Sequence, residues 1–472
     1  MKLSILGGGG VRMPAFVRAV LAGRPGAFSE ICLFEPDATR RATTARLAAE
    51  IAGVLGQPGV VTVTADPEEA FTGAGYVFSA IRVGGDRGRV IDEQVALRRG
   101  IVGQETTGPG GCAMALRTIP VVLGYCELLS RCAPEAVLIN FTNPAGLITQ
   151  AISAQGKVRA VGVCDTPSGT IADLARFAGA GGAGRRDGRP LDGISARYAG
   201  LNHLGWITAF EVDGADVLPG LLDRFEELQH SGAAYAAFDA DEVRRVGAVP
   251  TEYVYYYYDP RRYVDGVARN GTSRGQDVAG LNAELIGAIG AAFDSGDVHA
   301  AWAAYSTVLG VRRDTYMRAD TQGDSGQAQA RAARAAAGTV PIEGGEIGGY
   351  EGLAMRVIDG LAGRQASDVI VNMPNNGALP FLDPDDIVEI PARVDTGGLT
   401  PRPAGQLPRS ARALVEAVKE YERGTVEAAM TGDADLAAVA LAQHPLVPGI
   451  SAARELLAEY IESHGEQLAY LS

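Results

Sequence analysis

The rhythm of the first third of the chain constrains its fold more than any other feature. "KLSILG", "EICLFE", "VVTVTA" and "YVFSAIRV" are short runs rich in β-branched and aromatic residues, with Pro14 to Gly23 and the alanine-rich Asp37 to Leu55 between them at helical spacing. "AVLINFT" and "AVGVC" continue the series after a long helical segment. Strands this apolar on both faces fit a parallel sheet covered by helices, so residues 1–168 are expected to form a doubly wound α/β domain. Beyond Cys164 the alternation fades. A glycine-rich "GAGGAGRRDGRP" at 179 to 190 is expected as a loop, "ISARYAGLNHLGWITAFEVDG" as strand, and alanine-rich helical tracts fill much of the rest. Residues 169–472 therefore read as a second, mostly helical α+β domain, with 320 to 345 its most mobile loop.

With 42 basic against 56 acidic side chains the net charge is −14, which argues against a general affinity for nucleic acid or anionic lipid. Any phosphate the chain binds must meet a local basic site. No stretch is expected to span a bilayer, and the opening "MKLSILGGGGVRMP" stops in four glycines where a secretion signal continues apolar, so a cytoplasmic location is expected. Five cysteines in no paired spacing predict reduced thiols.

Several motifs carry chemistry. In "LSILGGGGVRMP" the glycines, Gly7, Gly8 and Gly9 among them, follow a strand and precede a helix whose N-terminal amides can receive a pyrophosphate, although Arg12 stands where the usual fingerprint has its third glycine. Glu35 ends the second strand, where a carboxylate accepts ribose hydroxyls and repels a 2′-phosphate; this favours NAD over NADP. In "INFTNPAG" Asn140 and Asn143 can orient a nicotinamide and sugar hydroxyls, or else cap the next helix. "GVCDTP" sets Cys164 beside Asp165, and "GLNHLGW" carries Asn202 and His203 on a strand. A lone buried cysteine or histidine is ordinarily packing, whereas the two together suit a divalent transition metal that a substrate completes. "PTEYVYYYYDPRRY" holds tyrosines that are mostly packing residues, yet one phenol beside a cation can act as a base.

Taken in order, "GQETTGPGG", "ALRTIP", "INFTNPAG", "GVCDTP", "GLNHLGW" and "NGALPFLDPDDIVEIPARVD" resemble glycoside hydrolase family 4 over nearly the whole chain. The resemblance implies a Rossmann-type domain like that of lactate and malate dehydrogenases, NAD, a divalent metal that is usually manganese, and a homodimer or homotetramer. It assigns the metal to Cys164 and His203, the base to Tyr253 with Tyr256 in reserve, an acid for the leaving oxygen to Asp165, a sugar phosphate to Arg89, sugar hydroxyls to Asn143 and Asn202, and a supporting carboxylate at the metal to Glu105. The implied reaction is hydrolysis through oxidation at C3, proton loss at C2, elimination, addition of water and return of the hydride. Within the family "PTEYVYYYY" and "GLNHLGW" look closest to 6-phospho-β-glucosidases, whereas "CDTP" has the aspartate typical of 6-phospho-α-glucosidases. A different class, an NAD-dependent 2-hydroxy acid dehydrogenase, shares the first domain but has no use for the Cys and His pair.

Overall fold

The structure, a computed structural model, describes residues 1–180, 193–231, 233–318, 326–338, 340–343 and 349–472. Six parallel strands open it: β1 (Lys2–Leu6), β2 (Glu30–Phe34), β3 (Val61–Thr64), β4 (Ala74–Ser79), β5 (Val137–Asn140) and β6 (Arg159–Gly162). Their spatial order is β3-β2-β1-β4-β5-β6, so the chain winds outward from β1 in one direction and then from β4 in the other. Right-handed crossovers running in opposite directions put their helices on opposite faces, which is why both sides of each strand are apolar. The reversal between β1 and β4 opens a crevice at the strands' C-terminal ends, the usual ligand position in such sheets.

Helix Gly108–Cys132, 25 residues long, crosses this region and buries most of its first three turns. It is long and apolar enough to cross a membrane, contrary to the expectation that no stretch approaches that length, but 61% of its most apolar stretch is buried inside the fold.

The sheet does not end with the first domain. It continues β6-β11-β12-β7-β8-β10, built from β7 (Ile194–Leu201), β8 (Leu204–Val212), β10 (Val249–Pro250), β11 (Ser367–Pro374) and β12 (Ile387–Asp395), with β9 (Ala215–Asp216) and β13 (Gly398–Pro401) at its margins. These later strands pair antiparallel. Two seams hold by a single registered pair each, Gly162 to Asn372 between β6 and β11 and Glu389 to Gly200 between β12 and β7. A buried polar knot braces the second seam: the Tyr198 hydroxyl and the Asn202 and Asn372 amides all donate to the Glu389 carboxylate.

Helices Arg274–Asp294 and Val298–Asp314 lie over the glycine loop. Their Leu281, Leu285, Trp302 and Tyr305 form an apolar cluster with Val11, Leu47 and Ile51 of the first domain. The first of the two begins with a capping box, Ser273 and Gln276 satisfying each other's backbone. The segment expected as a mobile loop at 320 to 345 falls partly outside the described residues; where described it contains a helix, Gln327–Ala337, as its run of alanines favours. Most of the glycine-rich loop expected at 179 to 190 also lies outside them.

Candidate active site

One cavity of about 1380 Å³ runs from the crevice beside β1 into the second half of the chain, larger than the roughly 300–1,000 Å³ that one small ligand occupies. At its nucleotide end Gly7, with φ +91°, turns the chain so closely over β4 that a Cβ would strike the Ala80 carbonyl. Helix Met13–Gly23 then starts with no side-chain cap, yet its first amides are taken, Met13 donating to the Gly10 carbonyl at 2.9 Å and Ala15 to the Tyr305 hydroxyl at 3.2 Å while Pro14 has no N–H, so the charge that meets an anion here is the Arg12 side chain in the cavity wall. Gly8 and Gly9 do not line the cavity. They are glycine because Gly8 packs on Leu33 and Gly9 on Glu35, a structural role in place of the expected cofactor contact. Glu35 does line the cavity, its Oε2 accepting from the Gly9 amide at 3.0 Å and its Oε1 from the Asp37 amide at 3.0 Å; lone pairs remain for a ribose. This donor and acceptor set fits a dinucleotide.

Asn140 also departs from expectation. It is fully buried, donates to the Thr142 and Ala145 carbonyls and to Thr149, and accepts from the Thr142 amide, so its amide organises the loop after β5 and orients no nicotinamide. Asn143, three residues on, reaches the cavity.

Cys164 follows the end of β6 by two residues. His203 lies in the two-residue connection of the β7–β8 hairpin at φ +62°, not on a strand. Thr106 fixes the imidazole: its hydroxyl donates to Gln104 Oε1 at 2.9 Å and is thereby free to accept from His203 Nδ1 at 2.9 Å, which leaves the Nε2 lone pair as the ligating one. Burial pulls His203 down to about 4, so the ring is neutral near pH 7. Burial, Glu389 and Asp165 push the Cys164 thiol well above its ordinary value, so a cation is what displaces its proton. Among the described residues no three His, Cys, Asp or Glu side chains cluster as a metal site, and this pair fits an ion whose remaining positions a substrate takes.

The Tyr253 ring stacks on His203 with centroids 3.8 Å apart and planes at 5°, and Tyr316 brings its hydroxyl to 3.0 Å from that of Tyr253. Tyr256 is 6.0 Å away, ring to ring. Burial and Glu252 push the Tyr253 phenol well up. Asp165 lines the cavity beside Cys164, whereas Asn202 turns its amide onto Glu389 at 3.1 Å, behind the cavity wall, and is corrected from a sugar contact to a brace. Glu105 is held by Arg82 at 2.7 Å and Arg89 at 3.1 Å, and Arg89 places its Nε on Glu93 at 2.8 Å. The expected phosphate reader thus shares its charge with two acids. Arg312 donates to Asn282 Oδ1 at 3.2 Å and feels Glu105 but makes no ion pair among the described residues, and burial with Arg12, Arg89, Arg274 and Arg82 pulls it down to about 9. Thr106 and Glu389 lie within motifs that carry the resemblance, but their roles show only through partners far along the chain, His203 and Tyr198.

A dinucleotide crevice that opens directly onto a thiol and imidazole pair belongs to the class of nucleotide- and metal-dependent enzymes. The family 4 glycosyl hydrolase model matches residues 2–180 and the model of that family's C-terminal domain matches 198–447, so the chain belongs to family 4 of the glycosyl hydrolases and is a glycosidase. It is 26% identical over 469 residues to the 6-phospho-beta-glucosidase BglT of Thermotoga maritima, covering 99% of both chains. It is 27% identical over 415 residues to 6-phospho-alpha-glucosidase 1 of Lacticaseibacillus paracasei, covering 84% of this chain and 82% of the other. A solved structure of the Thermotoga maritima 6-phospho-beta glucosidase with manganese, NAD+ and glucose-6-phosphate superposes with a TM-score of 0.77 at 26% identity, over 99% of each chain.

Proposed function

We propose that this glycosidase hydrolyses 6-phospho-β-glucosides with NAD and a divalent metal, manganese by analogy with its relative. The observation that carries the substrate class is the set of arginines at the Cys164 and His203 end of the cavity. In a chain of net charge −14, Arg82, Arg89, Arg274 and Arg312 face one volume, and Arg312, which makes no ion pair among the described residues, is repelled there by the other guanidinium groups, a cost that an anion offsets. A phosphate supplies that charge and accepts bidentate guanidinium bonds.

When bound, NAD+ takes a hydride from the sugar's C3 and the metal draws electrons from its C2 and C3 oxygens. The chain's own groups do the rest. Thr106 holds His203 in its ligating tautomer, Arg312 and Arg89 anchor the phosphate, Asn143 meets the sugar hydroxyls, and Tyr253 removes the proton from C2 as general base. The proposal extends to a first domain over 1–168 and a second over 169–472, to a homo-oligomer and to the cytoplasm.

Four nitrophenyl sugars, α and β, with and without 6-phosphate, supplied with NAD+, Mn²⁺ and reductant, test the reading. The expected result is cleavage of the 6-phospho-β compound without accumulation of NADH. Preference for the α-phosphate corrects the anomer, which Asp165 after Cys164 gives reason to include. Preference for the unphosphorylated sugars overturns the phosphate argument.

A further inference from the structure

Helix Gly349–Leu361 brings into the cavity a carboxyl that the reading above does not use. Glu351 stands in its first turn. A Cβ placed on Gly349, whose φ is +61°, would lie 3.2 Å from a Glu351 carboxylate oxygen and 3.3 Å from an oxygen of Asp165, the residue after Cys164, so both acids approach one small volume at the Gly349 backbone. The groups that face them are Arg12, whose guanidinium lies 5.4 Å over the Tyr350 ring, with Tyr350, Arg18 and Tyr305 around it. Glu351 thus faces the guanidinium groups of Arg12 and Arg18 from the cavity wall. Burial pushes Glu351 up to about 7, Arg12 opposing and Asp165 adding to the shift.

We propose that Glu351 is a catalytic acid of this site, the group that gives a proton to the departing glycosidic oxygen. This rests on the phosphoglucoside reading and moves to Glu351 the proton that the resemblance assigns to Asp165. Once C2 has lost its proton, the C1–O bond breaks with its electron pair on the aglycone oxygen, that oxygen takes the Glu351 proton, and the aglycone leaves as an alcohol. The Glu351 carboxylate then takes a proton from the water that adds at C1. The acid is restored, and this step consumes no oxidant.

The test compares wild type with Glu351→Gln, as holoenzymes with NAD+ and Mn²⁺, on two 6-phospho-β-glucosides: a 4-nitrophenyl one, whose leaving group needs no proton, and a methyl one, whose leaving group does. Glu351→Gln should lose about 100-fold or more in kcat/KM on the methyl glycoside and less than about threefold on the nitrophenyl one. In D₂O the variant should also return unreacted methyl glycoside with deuterium at C2, because proton removal then outruns C1–O cleavage. Equal losses on both substrates, or full activity on both, overturn the acid. A variant that no longer binds NAD+ or melts early is replaced by Glu351→Asp, which should restore part of the methyl activity if the carboxyl itself is needed and none if only packing is. If wild type cleaves unphosphorylated glucosides instead, the substrate reading falls, and the same pair of leaving groups without phosphate decides the role of Glu351.

Discussion

His203 sits at a backbone angle that few non-glycine residues adopt, and the hairpin turn that imposes it aims the imidazole past the strand into the cavity. Its usefulness depends on Thr106. Thr106→Val should weaken Mn²⁺ binding about 10- to 100-fold, followed by the spectrum of the free ion, while NAD+ affinity stays unchanged. Cys164→Ser and His203→Ala should go further and abolish Mn²⁺ retention in a folded, NAD-binding protein. Arg312→Ala removes a cation that makes no ion pair among the described residues, so kcat/KM for a phosphorylated glucoside should fall about 30- to 1000-fold, with little change for a plain one. Tyr253→Phe should stop the incorporation of solvent deuterium at C2 of the product; exchange that survives in it moves the base to Tyr256.

At the scale of elements, what the sequence revealed and what it hid follow one rule. β1 to β6 are legible because each is a local run of apolar residues whose meaning does not depend on distant partners. The β7–β8 hairpin reads as one strand because the turn is only Asn202 and His203, with no glycine at the position of positive φ. The brace under it is invisible from sequence, since Glu389 meets Tyr198 across 191 positions. Cys164 is legible as chemistry through its pairing with His203, but Asn140 looks like a ligand because a buried amide and a binding amide are the same residue in the same setting. Asn140→Leu should therefore cost about 2–4 kcal/mol in chemical denaturation, since the partners of its amide lose their bonds; a residue that only orients nicotinamide would raise the KM for NAD without that loss. A second test concerns His444, packed against Tyr257 and Tyr421 after helix Ala434–Gln443. Burial lowers it to about 3 from the ordinary 6.5. Between those values the unfolded chain binds a proton that the folded one refuses, so stability falls as pH drops from 6.5 toward 3, by up to about 1.4 kcal/mol per pH unit from this one group. His444→Asn, which can still accept from the Leu446 amide, should flatten that slope in denaturation midpoints measured across the range.

For the whole molecule, charge and topology act together. The chain carries a net charge of −14 while Arg82, Arg89, Arg274 and Arg312 line the cavity, so an anionic substrate meets general repulsion with local attraction and the second-order rate of its capture should respond weakly to salt. The sheet adds a mechanical consequence. Cys164 hangs from β6 and His203 from the β7–β8 turn, and between β6 and β7 run only β11 and β12, hydrogen-bonded to each other along eight residue pairs. The two halves of the metal site are therefore mounted on one sheet, joined through the single-pair seams β6–β11 and β12–β7. Among the described residues all strands belong to this one sheet, so closure over the substrate comes from small shifts at those two seams, from side chains and from the helices laid over the glycine loop. The enzyme's scattering profile should stay the same when NAD+, metal and sugar phosphate bind, and its catalytic distances are set, to within those shifts, when the chain folds, before any substrate arrives.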